Sequence, residues 1–417
     1  MKKLLFLTLF GLVAAVSYAG GYRVALQGQR SLAMGHAGVA VVNNAELAFF
    51  NPAGLVYLEN KLNVAVGASA VFTETSWQNT SLGQSATTDN PTKTPFYVYA
   101  SYKASDWLTL GLSAYTPYGS TVKWPKDWAG SHLVNDIELQ AIYVQALASV
   151  KISEKLSVGG GPIYVNGAVN FNRNLTRSLT DLEGNRSNVT IDASGVSAWG
   201  WSASAMFNPT EDLRIGVNYR SEINVDAEDG EADFENVPNS PLTPFNDTTF
   251  DASLPLPAEL SVGLSYEFLD KWLVAFDYNR TFWDTYESLD VHFDDPNIPD
   301  SNNPRNYEDA SIYRFGVQYT ANETFTLRAG YYFDQSPVKS GYFAPETPRN
   351  DSNNFTAGLS VNVNDNLAID ASFLYSRFNE IDESYDYYTT PEGQRASFEG
   401  TYKTVAFIPG LGITYKL

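Results

Sequence analysis

The chain is 417 residues long and carries 27 Lys and Arg against 47 Asp and Glu, which gives a net charge of −20 near neutral pH. Because this charge repels nucleic acid, we exclude a nucleic-acid partner. The sequence contains no Cys, which excludes disulfides, thiolate metal sites and a lipoprotein anchor.

The N-terminal residues have the features of a secretory signal peptide. Lys2 and Lys3 precede an apolar stretch from Leu4 to Val16, and the small-residue site Ser17-Tyr18-Ala19 follows. We predict cleavage after Ala19, so that residues 1–19 are removed. No later apolar run approaches the roughly 20 residues that a transmembrane helix needs. Any crossing of a membrane is therefore expected to use strands.

Residues 20–59 lie between the signal peptide and the first predicted strand. Asn44 belongs to the residue types that cap helices, so a short helix is predicted to begin at Ala45. Pro52 is predicted to end it, because the residue before a proline disfavours helical backbone.

Residues 60–417 show the alternation of apolar and polar side chains that is typical of β-strands. The even positions are apolar from Leu62 to Phe72 and again from Leu260 to Phe268, whereas most positions between them are small, polar or charged. One face of each strand suits lipid and the other suits a watery lumen. Aromatic residues, which favour membrane interfaces, make up 14% of the chain. This pattern predicts a transmembrane β-barrel.

Short turns and long loops alternate along the predicted barrel. Six short polar turns each precede a strand; they lie at 105–107, 154–156, 211–213, 270–272, 323–325 and 365–367. Seven longer polar stretches separate them; they lie near 73–94, 116–136, 173–190, 224–257, 284–309, 335–352 and 379–397. Six plus seven connections join 14 antiparallel strands. The even number predicts periplasmic turns, extracellular loops and a place in the outer membrane.

One predicted strand, which begins at Leu156, contains a change of phase. Its apolar positions are even at Leu156 and Val158 but odd at Ile163 and Val165. Gly159, Gly160, Gly161 and Pro162 lie between the two sets. Glycine and proline within a strand mark bulges, so a one-residue slip is predicted here. Two interpretations remain open: a bend of the wall, or a gap through which an apolar ligand leaves sideways.

Two arginines are predicted to point into the lumen. On the tenth strand Tyr313 and Phe315 face lipid, so Arg314 points inward; on the eleventh, Arg328 points inward for the same reason. A turn centred near Ala321 would make the two arginines approximate cross-strand neighbours. Like charges opposite one another are destabilising, so something negative is expected between them. It is either an internal acid such as Glu46 or the carboxylate of a ligand.

The chain resembles the FadL/TodX family of outer-membrane transporters for long-chain fatty acids and aromatic hydrocarbons. The resemblance rests on Asn51-Pro52-Ala53, on Tyr115-Thr116-Pro117-Tyr118-Gly119 followed by Trp124 and Trp128, and on Leu254-Pro255-Leu256-Pro257-Ala258. It implies that residues 20–59 form a small helical hatch that plugs a 14-stranded barrel of residues 60–417.

The resemblance also implies functional residues. Asn51, Pro52 and Ala53 would hold the hatch or gate an opening in the wall. Trp124 and Trp128 would line an external groove that captures ligand; the alternative is that they anchor the loop at the lipid headgroups. The family's lateral gap lies on the third strand, here around Gly111 and Ser113. The fifth strand, with Gly159 to Pro162, remains the other candidate for the exit.

These features predict a monomeric transporter in the outer-membrane lipid that takes up apolar or amphipathic molecules, most specifically long-chain fatty acids, by passive diffusion. A water-filled porin and a surface adhesin are the alternatives. The three histidines, His36, His132 and His292, share no spacing that suggests catalysis or a metal site. The acidic stretches Asp226–Glu235 and 294–297 lack the spacing of a calcium loop. We therefore expect no enzyme activity, no metal and no cofactor.

Overall fold

The computed structural model describes residues 21–238, 245–390 and 394–417. The predicted signal peptide, residues 1–19, lies outside the described residues. Within them, no helix has the length and apolar character needed to cross a membrane.

The described strands form one antiparallel sheet that closes on itself, because the last strand pairs with the first. The twenty strand segments are β1 Leu62–Ser69, β2 Phe72–Asn79, β3 Gln84–Thr87, β4 Phe96–Ser105, β5 Leu108–Lys123, β6 Asp136–Ser153, β7 Leu156–Asn174, β8 Asn188–Phe207, β9 Leu213–Arg220, β10 Ile223–Glu235, β11 Thr248–Leu256, β12 Glu259–Phe268, β13 Trp272–Thr281, β14 Val291–Phe293, β15 Ala310–Thr320, β16 Phe325–Asp334, β17 Ser352–Asn362, β18 Leu367–Phe378, β19 Ile381–Thr389 and β20 Arg395–Lys416.

Interrupted strands explain why twenty segments make a smaller number of barrel strands. Six barrel strands consist of two segments each, namely β1 with β2, β3 with β4, β9 with β10, β11 with β12, β13 with β14 and β18 with β19. The described residues therefore form the predicted barrel of 14 strands. All six predicted short turns fall between consecutive strands.

Strands extend into several of the predicted loops, and this corrects the sequence prediction: residues 73–94 contain most of β2 and all of β3, and residues 116–136 contain the end of β5. The acidic stretch Asp226–Glu235 belongs to β10, and most of residues 379–397 belongs to β19 and the start of β20. Strand β10 contributes Ala227 and Ala232 to a separate apolar cluster that includes Val189, Ile191 and Phe250. Strand β19 instead contributes Tyr385 and Tyr388 to the main buried cluster. The high polarity of these stretches favours loops. In the structure they are strands of which only one face is exposed to solvent.

The alternation of faces is as predicted. Phe315 is 51% exposed and Leu411 is 65% exposed on the outer surface, whereas the intervening Asn63, Arg314 and Arg328 are buried inside. The outward side chains form the apolar surface that lipid contacts.

The predicted slip at Gly159–Pro162 does not occur. Pairing of β7 with β6 joins Gln145 to Ile163 and, in the same register, Ala148 to Gly160. Ile163 and Val165 therefore face inward, where both are fully buried. They are apolar because the lumen at this level is filled by apolar side chains and is not watery.

The segment before the barrel lies inside it. It contains helix α1 Gln29–Ala33, helix α2 Leu47–Phe50 and a 3₁₀ helix Pro52–Tyr57. We call residues 21–59 the hatch. Helix α2 begins two residues later than predicted, and Asn44 accepts a hydrogen bond from the backbone N–H of Glu46. Pro52 ends α2 and begins the 3₁₀ helix.

Glycines on the inner face of the wall let the hatch backbone lie directly against it. At six of them that face residues 33–53, an added Cβ would approach a hatch atom to less than 3.0 Å; they are Gly159, Gly216, Gly263, Gly316, Gly330 and Gly358. Their opposite atoms belong to residues 33–53 of the hatch. These six residues, called the glycine belt below, position the hatch because none of them places a side chain between the wall and the hatch.

Candidate functional site

The motif Asn51-Pro52-Ala53 joins the hatch to the wall. The Asn51 amide donates to the carbonyl oxygens of Val39 (2.9 Å) and Ala205 (3.1 Å). The backbone N–H of Ala53 donates to the hydroxyl of Ser204 at 2.9 Å. Its carbonyl oxygen accepts from Ser149 at 2.9 Å and from Ser157 at 2.6 Å. The motif is thus held by β6, β7 and β8.

The same wall strands carry the Gly159–Pro162 stretch, so the structure brings two predicted sites together. Gly159 lies under Pro52 and Ala53, where an added Cβ would lie 2.6 Å from the Ala53 nitrogen. Gly161 and Pro162 have no pairing partners on β6, while their pairing with β8 is continuous. Pro162 has no N–H to donate, which accounts for the break in the ladder.

The third barrel strand, β5, has a larger irregularity, and it lies away from the expected position. Gly111 and Ser113 are paired on both sides, so the gap predicted around them is absent. The register with β6 instead shifts between Tyr115 and Tyr118, and pairing with β4 ends at Tyr115. Beyond Tyr115, the next backbone hydrogen bond between β5 and the segment that joins β3 to β4 runs from the Asp89 N–H to the Lys123 carbonyl oxygen. We call this stretch of the wall, residues 116–122, the window.

The start of the hatch lies along the edge of the window. The Val24 N–H donates to the Pro117 carbonyl at 2.8 Å, and the Gly119 N–H donates to the Tyr22 carbonyl at 2.9 Å. Arg23 and Tyr118 form an antiparallel bridge. We call residues 22–26 the strap, because it replaces the missing strand partner at this level.

A cavity of about 270 Å³ adjoins the window and the strap. Its apolar lining includes Val24, Leu26, Val71, Leu139, Leu374 and Ile408. Its charged lining includes Arg23, Asp334 and Arg349. Arg23 pairs with Asp334 at 3.4 Å. The Arg349 guanidinium contacts the carbonyl oxygens of Gly21 (3.5 Å) and Arg23 (3.3 Å), and among the described residues no carboxylate forms a salt bridge with it.

Arg314 and Arg328 both point inward, but the predicted pairing of the two is wrong. Arg314 lies opposite Tyr332, and Arg328 lies opposite Gln318. Arg328 donates to Gln318 at 2.8 Å and to Ser360 at 2.5 Å. Nor does Glu46 lie between them: its carboxylate accepts from the backbone N–H groups of residues 30 and 31 and from the Ser31 hydroxyl. A ligand contact of either arginine stays a prediction.

Trp124 and Trp128 lie inside a buried aromatic cluster with Trp77 and Phe398, called the tryptophan cluster below. Their rings stack at 4.1 Å, and they are only 3% and 6% exposed. Trp128 also contacts Trp77 and Phe398. Their burial contradicts the alternative in which they anchor the loop in lipid. Binding of ligand by these rings stays a prediction that requires the cluster to open.

The histidines lie apart, and within the described residues no cluster of three or more His, Asp or Glu could hold a metal ion. His36 is buried in the hatch, His132 in the tryptophan cluster, and His292 is exposed beside Asp300.

The comparison with known families agrees with this architecture. A sequence profile of the family described as outer membrane protein transport protein (OMPP1/FadL/TodX) matches residues 10–417. The chain belongs to this family. As a FadL/TodX protein it resides in the outer membrane and transports hydrophobic compounds. The family comprises transporters and channels, not enzymes.

Curated relatives of this FadL/TodX protein cover at least 95% of it. A Neisseria meningitidis serogroup B protein described as an outer membrane protein is 27% identical over 477 aligned positions, covering 100% of this chain and 98% of that one. The long-chain fatty acid transport protein of Escherichia coli O6:H1 is 21% identical, covering 95% and 94%.

Solved structures share the fold. A Pseudomonas aeruginosa FadL homologue superposes with a TM-score of 0.80 at 17% identity, covering 95% of this chain and 100% of that one. The Pseudomonas putida toluene transporter TodX gives a TM-score of 0.70 at 17% identity, covering 96% and 99%.

Sequence reasoning missed two parts of this FadL/TodX site. Arg349 lies in a polar stretch with no strand periodicity. The alternation of side chains therefore could not predict whether Arg349 points into the barrel or away from it. The irregularity at Thr116-Pro117 did carry a signal, because a proline at position 117 interrupts a strand ladder.

Proposed function

We propose that the protein carries long-chain fatty acids, whose carboxylate contacts Arg349 while the hydrocarbon chain lies in the cavity at the window. The observation that carries this proposal is the combination, in one cavity, of an apolar wall and a cation with no carboxylate partner among the described residues. An aromatic hydrocarbon would use the apolar wall but leave the guanidinium unpaired. A fatty acid satisfies both.

The polar outer leaflet slows apolar solutes, so the barrel supplies a sheltered apolar site on the way in. Transport needs no covalent step. Binding must remain modest so that the ligand can leave, which suits a partly exposed arginine better than a fully enclosed one. The closed strand ring of a single chain supports a monomer embedded in outer-membrane lipid.

The exit that we propose is the window on the third strand. Its edge is free of β4, and it adjoins the cavity directly. At the fifth strand, by contrast, Pro52 and Ala53 lie against Gly159 and leave no space between hatch and wall. Movement of the strap would join the cavity to the bilayer.

Binding of a long-chain fatty acid and of its uncharged alcohol to the purified protein tests the ligand class. Arg349→Met should weaken binding of the acid by about tenfold or more and leave the alcohol unchanged, since a hydrogen bond to a charged group contributes about 1.5–3 kcal/mol. Arg377→Met, an exposed arginine elsewhere, is the control. Uptake of toluene but not of fatty acid would contradict the proposal. If Arg314→Met or Arg328→Met weakened binding of the acid but not of the alcohol, the carboxylate site would lie at that arginine instead.

A pair of wall variants tests the exit. Deletion of Pro117 removes the extra residue opposite β6, so it should close the window and reduce uptake. Pro162→Val restores a ladder donor on the fifth strand and should leave uptake unchanged. The reverse result would place the exit at the fifth strand.

A further inference from the structure

A second, much smaller chamber lies deeper in the lumen, between the hatch and the wall. Its volume is about 20 Å³, which accommodates one water molecule or one small ion. Arg23, Val24 and Ala25 line both this chamber and the larger cavity, so the strap separates the two. A hydrocarbon chain does not fit here.

The polar side chains that line the chamber are mostly hydrogen-bond donors. Three arginines, Arg23, Arg220 and Arg314, and one carboxylate, Glu259, surround it. Glu259 lies 3.8 Å from Arg23 and 3.5 Å from Arg220, and it also accepts from Tyr118 at 3.0 Å. Glu259, the single carboxylate among the described residues that line the chamber, is therefore shared by the guanidinium groups of Arg23 and Arg220. It forms no salt bridge with the third arginine.

Arg314 is that third cation, and it is 3% exposed. Asp277 lies directly opposite it on β13, but its Oδ2 atom accepts from the N–H groups of Gly38 (2.7 Å) and Val39 (3.0 Å), and its Oδ1 atom has no hydrogen-bond partner in the described structure. Among the described residues no salt bridge of 4.0 Å or less reaches Arg314, and its Nε atom has no hydrogen-bond partner. A buried cation without a paired anion is costly.

Other unpartnered groups face the same chamber. The Nε atom of Arg220 and both ring nitrogens of His36 lack hydrogen-bond partners in the described structure. Both residues line the chamber and are buried. A neutral imidazole offers one N–H, so His36 adds one donor group to those of Arg220 and Arg314 around one water-sized space.

We propose that this chamber holds a chloride-sized monovalent anion, bound by Arg314 with Arg220 and His36. The ion compensates the charge of Arg314. It also links β15 to the hatch turn at residues 36–39, next to the point where Asp277 holds the same turn. The site is structural and separate from the path of the transported molecule.

Crystals of the full-length mature protein grown in bromide test the site directly. An anomalous bromide peak should lie beside Arg314 and should be lost in Arg314→Met. In solution, chloride replaces gluconate at a constant total salt concentration. The unfolding temperature should rise with the logarithm of the chloride concentration, as expected for a ligand that binds only the folded state.

Arg328→Met is the matched control, because Arg328 is also buried but already bonded to Gln318 and Ser360. It should keep the chloride dependence, whereas Arg314→Met should lose it. Absence of a bromide peak together with an unfolding temperature independent of halide would mean that the chamber holds water only, and the proposal would be wrong. Displacement of bromide by a fatty acid would also overturn it.

Discussion

The hydroxyl of Ser157 donates a hydrogen bond of 2.6 Å to the carbonyl oxygen of Ala53, which ties the fifth barrel strand to the hatch motif. Two residues further along β7, Gly159 lies directly beneath Ala53. The hatch is therefore held at this position both by a hydrogen bond and by the absence of a side chain.

Gly159→Val should displace the hatch from the wall, because even its Cβ would lie 2.6 Å from the Ala53 nitrogen. We expect single-channel recordings to change from a quiet protein to one with frequent conducting events. Ala148→Val, which places the same side chain on the outer face of the adjacent strand, should remain quiet. A quiet Gly159→Val protein that still folds would show that the hatch does not depend on this contact.

Asp370 should be essential for the stability of the hatch-filled barrel. It pairs with Arg30 of α1 at 2.9 Å and accepts from Thr414 at 2.7 Å, with only 3% of its side chain exposed. Asp370→Leu leaves Arg30 uncompensated and should lower the free energy of unfolding by about 3–5 kcal/mol in urea titrations. The double variant Arg30→Met with Asp370→Leu should recover most of this loss. No recovery would mean that the ion pair is not the cause.

The tryptophan cluster should loosen in acid. Burial, together with Arg177 and Arg173, lowers the pKa of His132 from 6.5 to about 3. Because the folded pKa lies below the unfolded one, the neutral ring stabilises the cluster fully above about pH 6.5, and this stability declines as the pH falls from there toward 3. Tryptophan fluorescence between pH 7 and 4 should report the change.

Two histidine variants make this pH test specific. His132→Phe should remove the acid-dependent fluorescence change. His292→Gln should not, because His292 is exposed and hydrogen-bonded to Asp300 at 2.9 Å, away from the cluster. An identical acid transition in His132→Phe would assign it to another group.

A disulfide between the strap and the window should block transport reversibly. Arg23 and Tyr118 are antiparallel partners, and such pairs have a Cα separation of about 4.5–5.5 Å, within the range of disulfides. Since the chain has no Cys of its own, Arg23→Cys with Tyr118→Cys should form one defined bridge. Fatty acid uptake should fall on oxidation and recover with reductant. The single-cysteine variants are the controls, and undiminished uptake by the oxidised protein would show that the strap need not move.

The barrel could be predicted from the sequence because each strand and each turn carries its own local signal. The partners of Arg314 and Arg328 could not, because they depend on the centre of the turn. The turn lies two residues later than predicted, so Gln318, not Arg314, faces Arg328. A shift of the turn by an even number of residues leaves each side chain on the same face of the sheet but changes the residue opposite it on the neighbouring strand.

The phase change after Gly161 shows another limit of sequence reasoning. The alternation rule assumes that apolar residues face lipid and polar residues face water. Ile163 and Val165 instead pack against the contents of the lumen. The sequence of a strand alone does not say what fills the barrel, so the alternation rule assigns this inner apolar face to the outside.

The glycine belt and the seam of the barrel bear on the order of assembly. Gly67 and Gly412 pair where β1 meets β20, and beside this seam the Gln29 amide donates to the Ala68 carbonyl and the Ser69 hydroxyl, both at 3.2 Å. The wall and the hatch are in such close contact that the hatch could not enter a barrel whose strands had already closed. Closure of the seam and seating of the N-terminal segment therefore form a single folding step. A change at Gln29 is expected to alter how fast the completed barrel accumulates in the membrane.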